Sequence, residues 1–441
     1  MTNSMQIIYL SAVATFALAA CGEQASAPQT PAEAAAPEEI SLDAAAERYV
    51  RLALEFGTYD TDYVDAYLGP EEFRAAEPRP IEALRDEAET LYGALSSIAQ
   101  SAEGEDARRA RNLTKILRAV LMRMRLYEMD LPDFNDEALA IYDAVVPEYD
   151  WAEFDRVLTE IDALLPGDAP LSERVDAFRQ SLAIPPDRLD AVFNAAIDEC
   201  RRRTLAHIDL PEGENFRIEY VTDKTWSGYN WYQGDYQSLI QVNTDFPTII
   251  DRAVDLGCHE GYPGHHTWNT LVERELVEKR GWIEFTVYPL FAPAALIGEG
   301  SGNYGIELAF PGSEKIAFER DVLFPLAGLD PAQAETLERL NALQARLSHA
   351  GNAVARDYLD GEISRDEAIE LQQRYALTSR ERAEQRIRFV EKYRAYVINY
   401  NLGRDIVRDY VERGNDTPEE RWAAFERMLT ELVTASEMQG E

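Results

Sequence analysis

Cysteine and histidine are both scarce in this chain of 441 residues, three of the first and five of the second. Three cysteines cannot build a disulfide framework, so the fold must rest on a hydrophobic core. Bases are short as well, with 43 Lys and Arg against 80 Asp and Glu, a formal net charge of −37. A surface of that sign repels polyanions, which excludes nucleic acid as a partner and disfavours anionic membrane surfaces. No apolar run reaches the ~20 residues that cross a bilayer, and no segment repeats. What remains is 46% hydrophobic and 28% charged, enough for a large core.

The first twenty residues contain no Lys or Arg, yet an apolar run begins at Ile7 and ends in Leu18-Ala19-Ala20-Cys21-Gly22. Its length suits the h-region of a signal peptide. The ending resembles a bacterial lipobox, which implies that residues 1–20 are removed and Cys21 is lipidated. An ordinary secretory signal cut nearby is the alternative, and both mean export. The expected location is the cell envelope, on the periplasmic face or in the outer membrane, with membrane contact only through the lipid anchor. Residues 22–39 are mostly Ala, Pro, Glu, Gln and Ser with almost nothing to bury, and residues 21–40 read as a flexible tether. Residues 41–441 read as one domain, with a helical half over 41–210 and a second half over 211–441. Cys200 and Cys258 leave a single disulfide open.

From Ile40 the pattern is helical. Leu113, Ile116, Leu117, Val120, Leu121 and Met124 recur at spacings of three and four, a buried stripe. Arg111, Lys115, Arg118 and Arg125 share the opposite side, a face expected to be solvated and paired with acids. After Pro211 the period changes to two. Phe216, Ile218 and Tyr220 alternate with charged residues, Ile240 and Val242 alternate with Leu239 and Gln241, and Trp226, Tyr229, Trp231, Tyr232 and Tyr236 fall between. This predicts a small antiparallel β-meander in an otherwise mainly α fold. Thr248-Ile249-Ile250-Asp251 has the form of a capping box opening the next helix.

That helix runs into His259-Glu260-Gly261-Tyr262-Pro263-Gly264-His265-His266, which holds three of the five histidines. Imidazole is the commonest ligand for zinc-like metals. In a plain HExxH helix the second histidine stands at i+4 and the glutamate beside the first acts as general base. Here i+4 is Pro263, which cannot ligate and must kink or bulge the helix. A bulge that absorbs two residues brings His265 to the second ligand position and turns His266 away. A mild kink swaps them, since His266 at i+7 shares the face of His259. A catalytic metal needs a third protein ligand. Glu299, flanked by glycines after the apolar stretch 290–297, shares a helix face with Asn303 and Glu307. It reads equally as a buried carboxylate awaiting a cation or as a cap or arginine partner.

The segment 259–266 resembles the HExxPGHH signature of a bacterial family known as domain of unknown function 885, whose members look related to the HExxH zinc peptidases of the gluzincin type. The family's downstream Glu-Gly-Trp-Ala-x-Tyr aligns with Glu299-Gly300-Ser301-Gly302-Asn303-Tyr304, and Tyr396-Val-Ile-Asn-Tyr400-Asn-Leu-Gly403-Arg404 is similar to a third family segment. Ser301 stands where the family has Trp, and Trp268 where it often has Gln. The resemblance implies a zincin-like architecture with one Zn2+ per chain on His259, His265 and Glu299, and Glu260 as general base. It also implies that a strand just before the metal helix, here 238–243, holds the peptide substrate by edge pairing.

The developing oxyanion needs a further donor, and Tyr400 is preferred over Tyr304. Arg356 or Arg404 is a candidate for a substrate carboxylate, with pairing to nearby acids the alternative. His349 either faces the cleft or, as is usual for a lone histidine on a helix face, is structural. Gly300-Ser301-Gly302-Asn303-Tyr304-Gly305 matches GxGxxG by letter, but no βαβ unit surrounds it. The function expected is an exported zinc-dependent peptidase acting on peptides or oligopeptides. The alternatives are a lipoprotein that binds peptide or metal without turnover, and a metal-dependent hydrolase of another amide or ester.

Overall fold

Ser41 opens the first helix, its hydroxyl accepting from the Ala44 N–H, and Leu42–Tyr59 follows with Ala45, Ala46, Tyr49, Val50 and Ala53 buried along one side. The structure, a computed structural model, describes residues 40–224 and 228–440. The signal segment, Cys21 and the tether up to residue 39 lie outside the described residues, as does Trp226. Residues from Ile40 onward cluster as one compact unit. Among the described residues no helix is long and apolar enough to cross a membrane.

The fold is mainly α. The helix Gly104–Tyr127 buries Leu113, Ile116, Leu117, Val120 and Met124 as its spacing requires. Three of the four bases on its opposite side are paired with acids: Lys115 and Arg118 meet Asp143 at 2.7 and 2.6 Å, and Arg125 meets Asp130 at 2.7 Å, while Arg111 is exposed. One apolar core runs from Ala45 through Phe193 and Leu296 to Met438, with a satellite between Trp151–Leu164 and Ala334–Leu359. The helices Pro293–Ala309 and Ile398–Glu412 cross in close contact, because a Cβ on Gly300 would stand 2.5 Å from the backbone of Gly403. Cys200, on the helix Leu189–Thr204, is disulfide-bonded to Cys258.

Strand β1 (Val64–Tyr67) and strand β5 (Val287–Pro289) form a two-stranded antiparallel pair that the sequence pattern does not announce. At four and three residues they are too short to show a period, and their partners are remote in sequence. Strands β2 (Asn215–Val221), β3 (Gly228–Gly234) and β4 (Gln237–Asn243) form the expected second sheet, but its order is β2-β4-β3. The meander is therefore corrected. β3 and β4 are an antiparallel hairpin, while β2 lies parallel to β4 on its other side. β4 has the strictest alternation of buried residues because one of its faces, with Ile240 and Val242, packs on the core.

The capping box at 248–251 is not formed either. The Thr248 carbonyl accepts from the Ile184 N–H, Ile249 bridges Ala183, and the helix begins only at Arg252. Asp251 turns its carboxylate to Arg179 and Asn341 instead of to the helix N-terminus.

Candidate metal centre

The helix Arg252–Leu256 does not continue as an α-helix through the histidine segment. It widens to π geometry over Gly257–Gly261, Tyr262 is extended, the Tyr262–Pro263 peptide is cis, and a new helix starts at His265. The extra residue per turn and the break together absorb the surplus between His259 and His265. Gly264 is required at the junction, since a Cβ there would stand 1.8 Å from the carbonyl oxygen of His259.

The two rings that result lie 4.7 Å apart and nearly perpendicular. Glu299, on the helix Pro293–Ala309, projects between them. Its Oε2 is 3.4 Å from Nε2 of His259 and 3.9 Å from Nε2 of His265. One donor atom from each of the three lies within 4.8 Å of the others. Ligands at about 2.1 Å from a tetrahedral zinc stand about 3.4 Å apart, so the donor set is close to closing on an ion. Glu299 Oε2 is also buried without a hydrogen-bond partner. A buried carboxylate oxygen without a donor is costly unless a cation completes it, and the donor types fit zinc.

The surroundings orient these groups. Asn303, one turn after Glu299, places its Oδ1 3.1 Å from Nδ1 of His259 and donates through Nδ2 to the Tyr400 carbonyl at 2.9 Å. With Nδ1–H donating to Asn303, the lone pair on Nε2 of His259 faces Glu299. Gly302 leaves room for that ring, since a Cβ would stand 2.9 Å from Nδ1. Tyr396 donates to the other oxygen of Glu299, Oε1, at 3.1 Å. Burial works against ionisation of Glu299, yet His259, His265 and Tyr396 outweigh it and lower its pKa. Burial likewise opposes a charge on His259, but Glu299 and Glu260 raise its pKa overall, whereas burial and the neighbouring His259 lower that of His265.

Glu260 is buried beside His259 at the wall of a cleft of about 1420 Å³ that also exposes His265, Glu299, Asp65 and Tyr400. The Glu260 carbonyl accepts from Asn230 Nδ2 of β3 at 2.7 Å, which fixes its backbone. Burial and the charge of Glu299 raise the pKa of Tyr400, so its hydroxyl keeps a proton to donate. Asp65 of β1, hydrogen-bonded to the Tyr229 hydroxyl, was not foreseen at the site, nor were the contacts of Asn303 and Tyr396. Asn303 had a signal, its i+4 spacing from Glu299. Asp65 had none, because only the pairing of β1 with β5 brings it to the cleft.

Several candidates lie elsewhere. His266 is fully buried on the far side of its helix, between Ser238 at 2.8 Å and Glu214 at 2.9 Å. Tyr304 is turned into the core against Phe425 and donates to Glu412 at 3.3 Å, so it is corrected as an oxyanion donor. Arg356 is held by Glu148 and Asp357, Arg404 by Asp405, and His349 by Asp405. The strand 238–243 cannot pair a substrate at its edge, being the central strand. The edge that faces the cleft belongs to β3, through Gly228, Tyr229 and Asn230.

No family model and no curated protein matches the chain. Solved structures do. A candidate lipoprotein from Colwellia psychrerythraea is similar with a TM-score of 0.52 at 13% identity, over 82% of this chain and 68% of that one. Trypanosoma cruzi metallocarboxypeptidase 1 is similar with a TM-score of 0.47 at 13% identity, over 90% of this chain and 93% of that one. At this identity the first is a likeness of fold alone, and the second is too loose to carry more.

Proposed function

We propose that the chain is an exported zinc-dependent metallopeptidase of the gluzincin type, related to the domain-885 proteins whose HExxPGHH signature it carries and tethered to the envelope through a lipid on Cys21. The observation that carries this reading is the unpartnered Oε2 of Glu299 between Nε2 of His259 and Nε2 of His265, on the wall of a large cleft. His259, His265 and Glu299 would hold one zinc ion. A zinc bound there supplies Lewis acidity to a water and to a substrate carbonyl.

The protein residues divide the remaining work. Glu260 takes the proton of the attacking water and returns it to the leaving amine, general acid–base catalysis of the kind worth about 10²–10⁴ in rate. Tyr400, protonated at the cleft wall, donates to the oxyanion. Asn303 and Tyr396 hold His259 and Glu299 in place. The free edge of β3 offers main-chain groups to an extended peptide.

The test is elemental analysis of the purified protein followed by a peptide-library screen. About one zinc per chain is expected, and Glu260→Gln is expected to keep that zinc while losing about 10²–10⁴-fold in kcat. Loss of zinc in Glu260→Gln would make it a ligand and overturn the assignment. A zinc-loaded chain that cleaves no peptide would leave a binding protein or a hydrolase of another amide or ester.

A further inference from the structure

Three arginines line the cleft, and no lysine does, among the described residues. Arg252 is tied to Asp255. Arg382 and Arg386, one turn apart on the helix Arg380–Tyr393, form no ion pair with any described residue, in a chain with 80 acids for 43 bases. Arg386 rests on the face of Phe389, its guanidinium carbon 4.9 Å from the ring centroid. Burial lowers its pKa, and the ionisable group acting on it is the Tyr400 hydroxyl. Tyr400 is in turn within electrostatic reach of Glu299 and Glu260. Arg386 is half-buried and Arg382 exposed; a guanidinium partly drawn out of water without a counter-charge carries a cost, and one kept beside catalytic groups marks a place where a ligand brings the anion.

The rest of the cleft says which anion. Asp62, Asp65, Glu260, Glu299 and Glu381 line it, so a ligand rich in negative charge is repelled. A peptide with a single terminal carboxylate is not. The guanidinium fork matches a carboxylate through two parallel hydrogen bonds. Arg386 lies on Phe389, whose ring centroid is 6.4 Å from that of Tyr396, the tyrosine that donates to Glu299, so a terminal carboxylate on Arg386 puts the last peptide bond, and not a distant one, near Glu260.

We propose that Arg386, assisted by Arg382, receives the free C-terminal carboxylate of the substrate, and that the enzyme therefore hydrolyses the last peptide bond of a chain. This rests on the peptidase reading above. The test uses the zinc-loaded full chain and one N-acylated tripeptide in three forms: free C-terminal acid, C-terminal amide, and an amide carrying Asp as the last residue. The free acid should exceed the plain amide by roughly ten- to hundredfold in kcat/KM. Arg386→Ala should collapse that ratio towards one, chiefly through KM and with zinc content unchanged, while Arg386→Lys keeps part of it. An unchanged ratio in Arg386→Ala, no preference in the wild type, or preference for the Asp amide over the free acid overturns the proposal.

Binding separates this proposal from the peptidase reading. With zinc-loaded Glu260→Gln, calorimetry should show the free acid binding more tightly than the amide, and only while Arg386 is present. That result without turnover in the wild type supports the carboxylate site and removes the peptidase. Turnover in the wild type with equal binding of acid and amide keeps the peptidase and removes the carboxylate site.

Discussion

Two histidine–glutamate clusters stand back to back in this molecule, built from adjacent residues. His266 meets Ser238 through Nδ1 and Glu214 through Nε2, and Glu214 also accepts from Tyr262 at 2.6 Å and from Arg201 at 2.5 Å. That cluster is saturated, with His266 fully sealed from water. The cluster of His259, His265 and Glu299 opens on the cleft and leaves Glu299 Oε2 without a donor. The same residue types are a structural network where every lone pair is met and a candidate ligand site where one is not. Satisfaction, more than residue identity, separates the two.

The sharpest way to break this comparison is to truncate each histidine. His265→Ala should reduce zinc far below one per chain and abolish turnover, whereas His266→Ala should keep zinc; elemental analysis of the pair checks both, and the opposite outcome reverses the two clusters. Tyr396→Phe removes the donor on Glu299 Oε1 and should weaken zinc affinity by about 10–100-fold, the usual cost of losing such support, as measured by competition with a chelator. His266→Ala leaves Glu214 with one donor fewer in the core and should cost about 1–3 kcal/mol of stability, read from urea unfolding of the zinc-free protein.

The smallest effect belongs to a third pair, His349 with Asp405 at 3.0 Å. Burial opposes ionisation of Asp405, but His349 and Arg404 outweigh it and bring its carboxyl to about 2. A carboxyl whose pKa falls on folding stabilises the fold above its unfolded value of about 3.9, and that stabilisation is lost as pH drops through the folded value. Asp405→Asn should therefore flatten the stability profile between about pH 4 and 2 and leave it unchanged in slope near neutrality. Denaturation midpoints across that range would show it.

Much of the helical frame was legible, because a stripe such as Leu113, Ile116, Leu117 and Val120 declares which side is buried. Local start signals were less dependable. Thr248–Asp251 has capping letters, yet Asp251 found stronger partners in Arg179 and Asn341 and Thr248 went to a bridge with the Ala183 segment. The three strands of the second sheet were legible as strands, but not their order. Alternation says which face is buried and nothing about which neighbour a strand takes, so the central place of β4 came only from its long-range partner β2. Arg386 had no signal at all, since an unpaired arginine is defined by which acids fail to reach it.

The chain's letters alone determined the scarce and chemically specific features. Three histidines within eight residues of a histidine-poor chain, a proline where HExxH needs its second ligand, and a glycine-flanked Glu299 point to a candidate metal site with no knowledge of the fold. Tertiary structure decided which of the two adjacent histidines faces the cleft, which carboxylate oxygen stays unpartnered, which tyrosine stands at the site, and which arginines remain without an acid. The physical reason is common to all four. Each depends on a balance of burial and partnership between groups distant in sequence, and that balance exists only once the segments pack together.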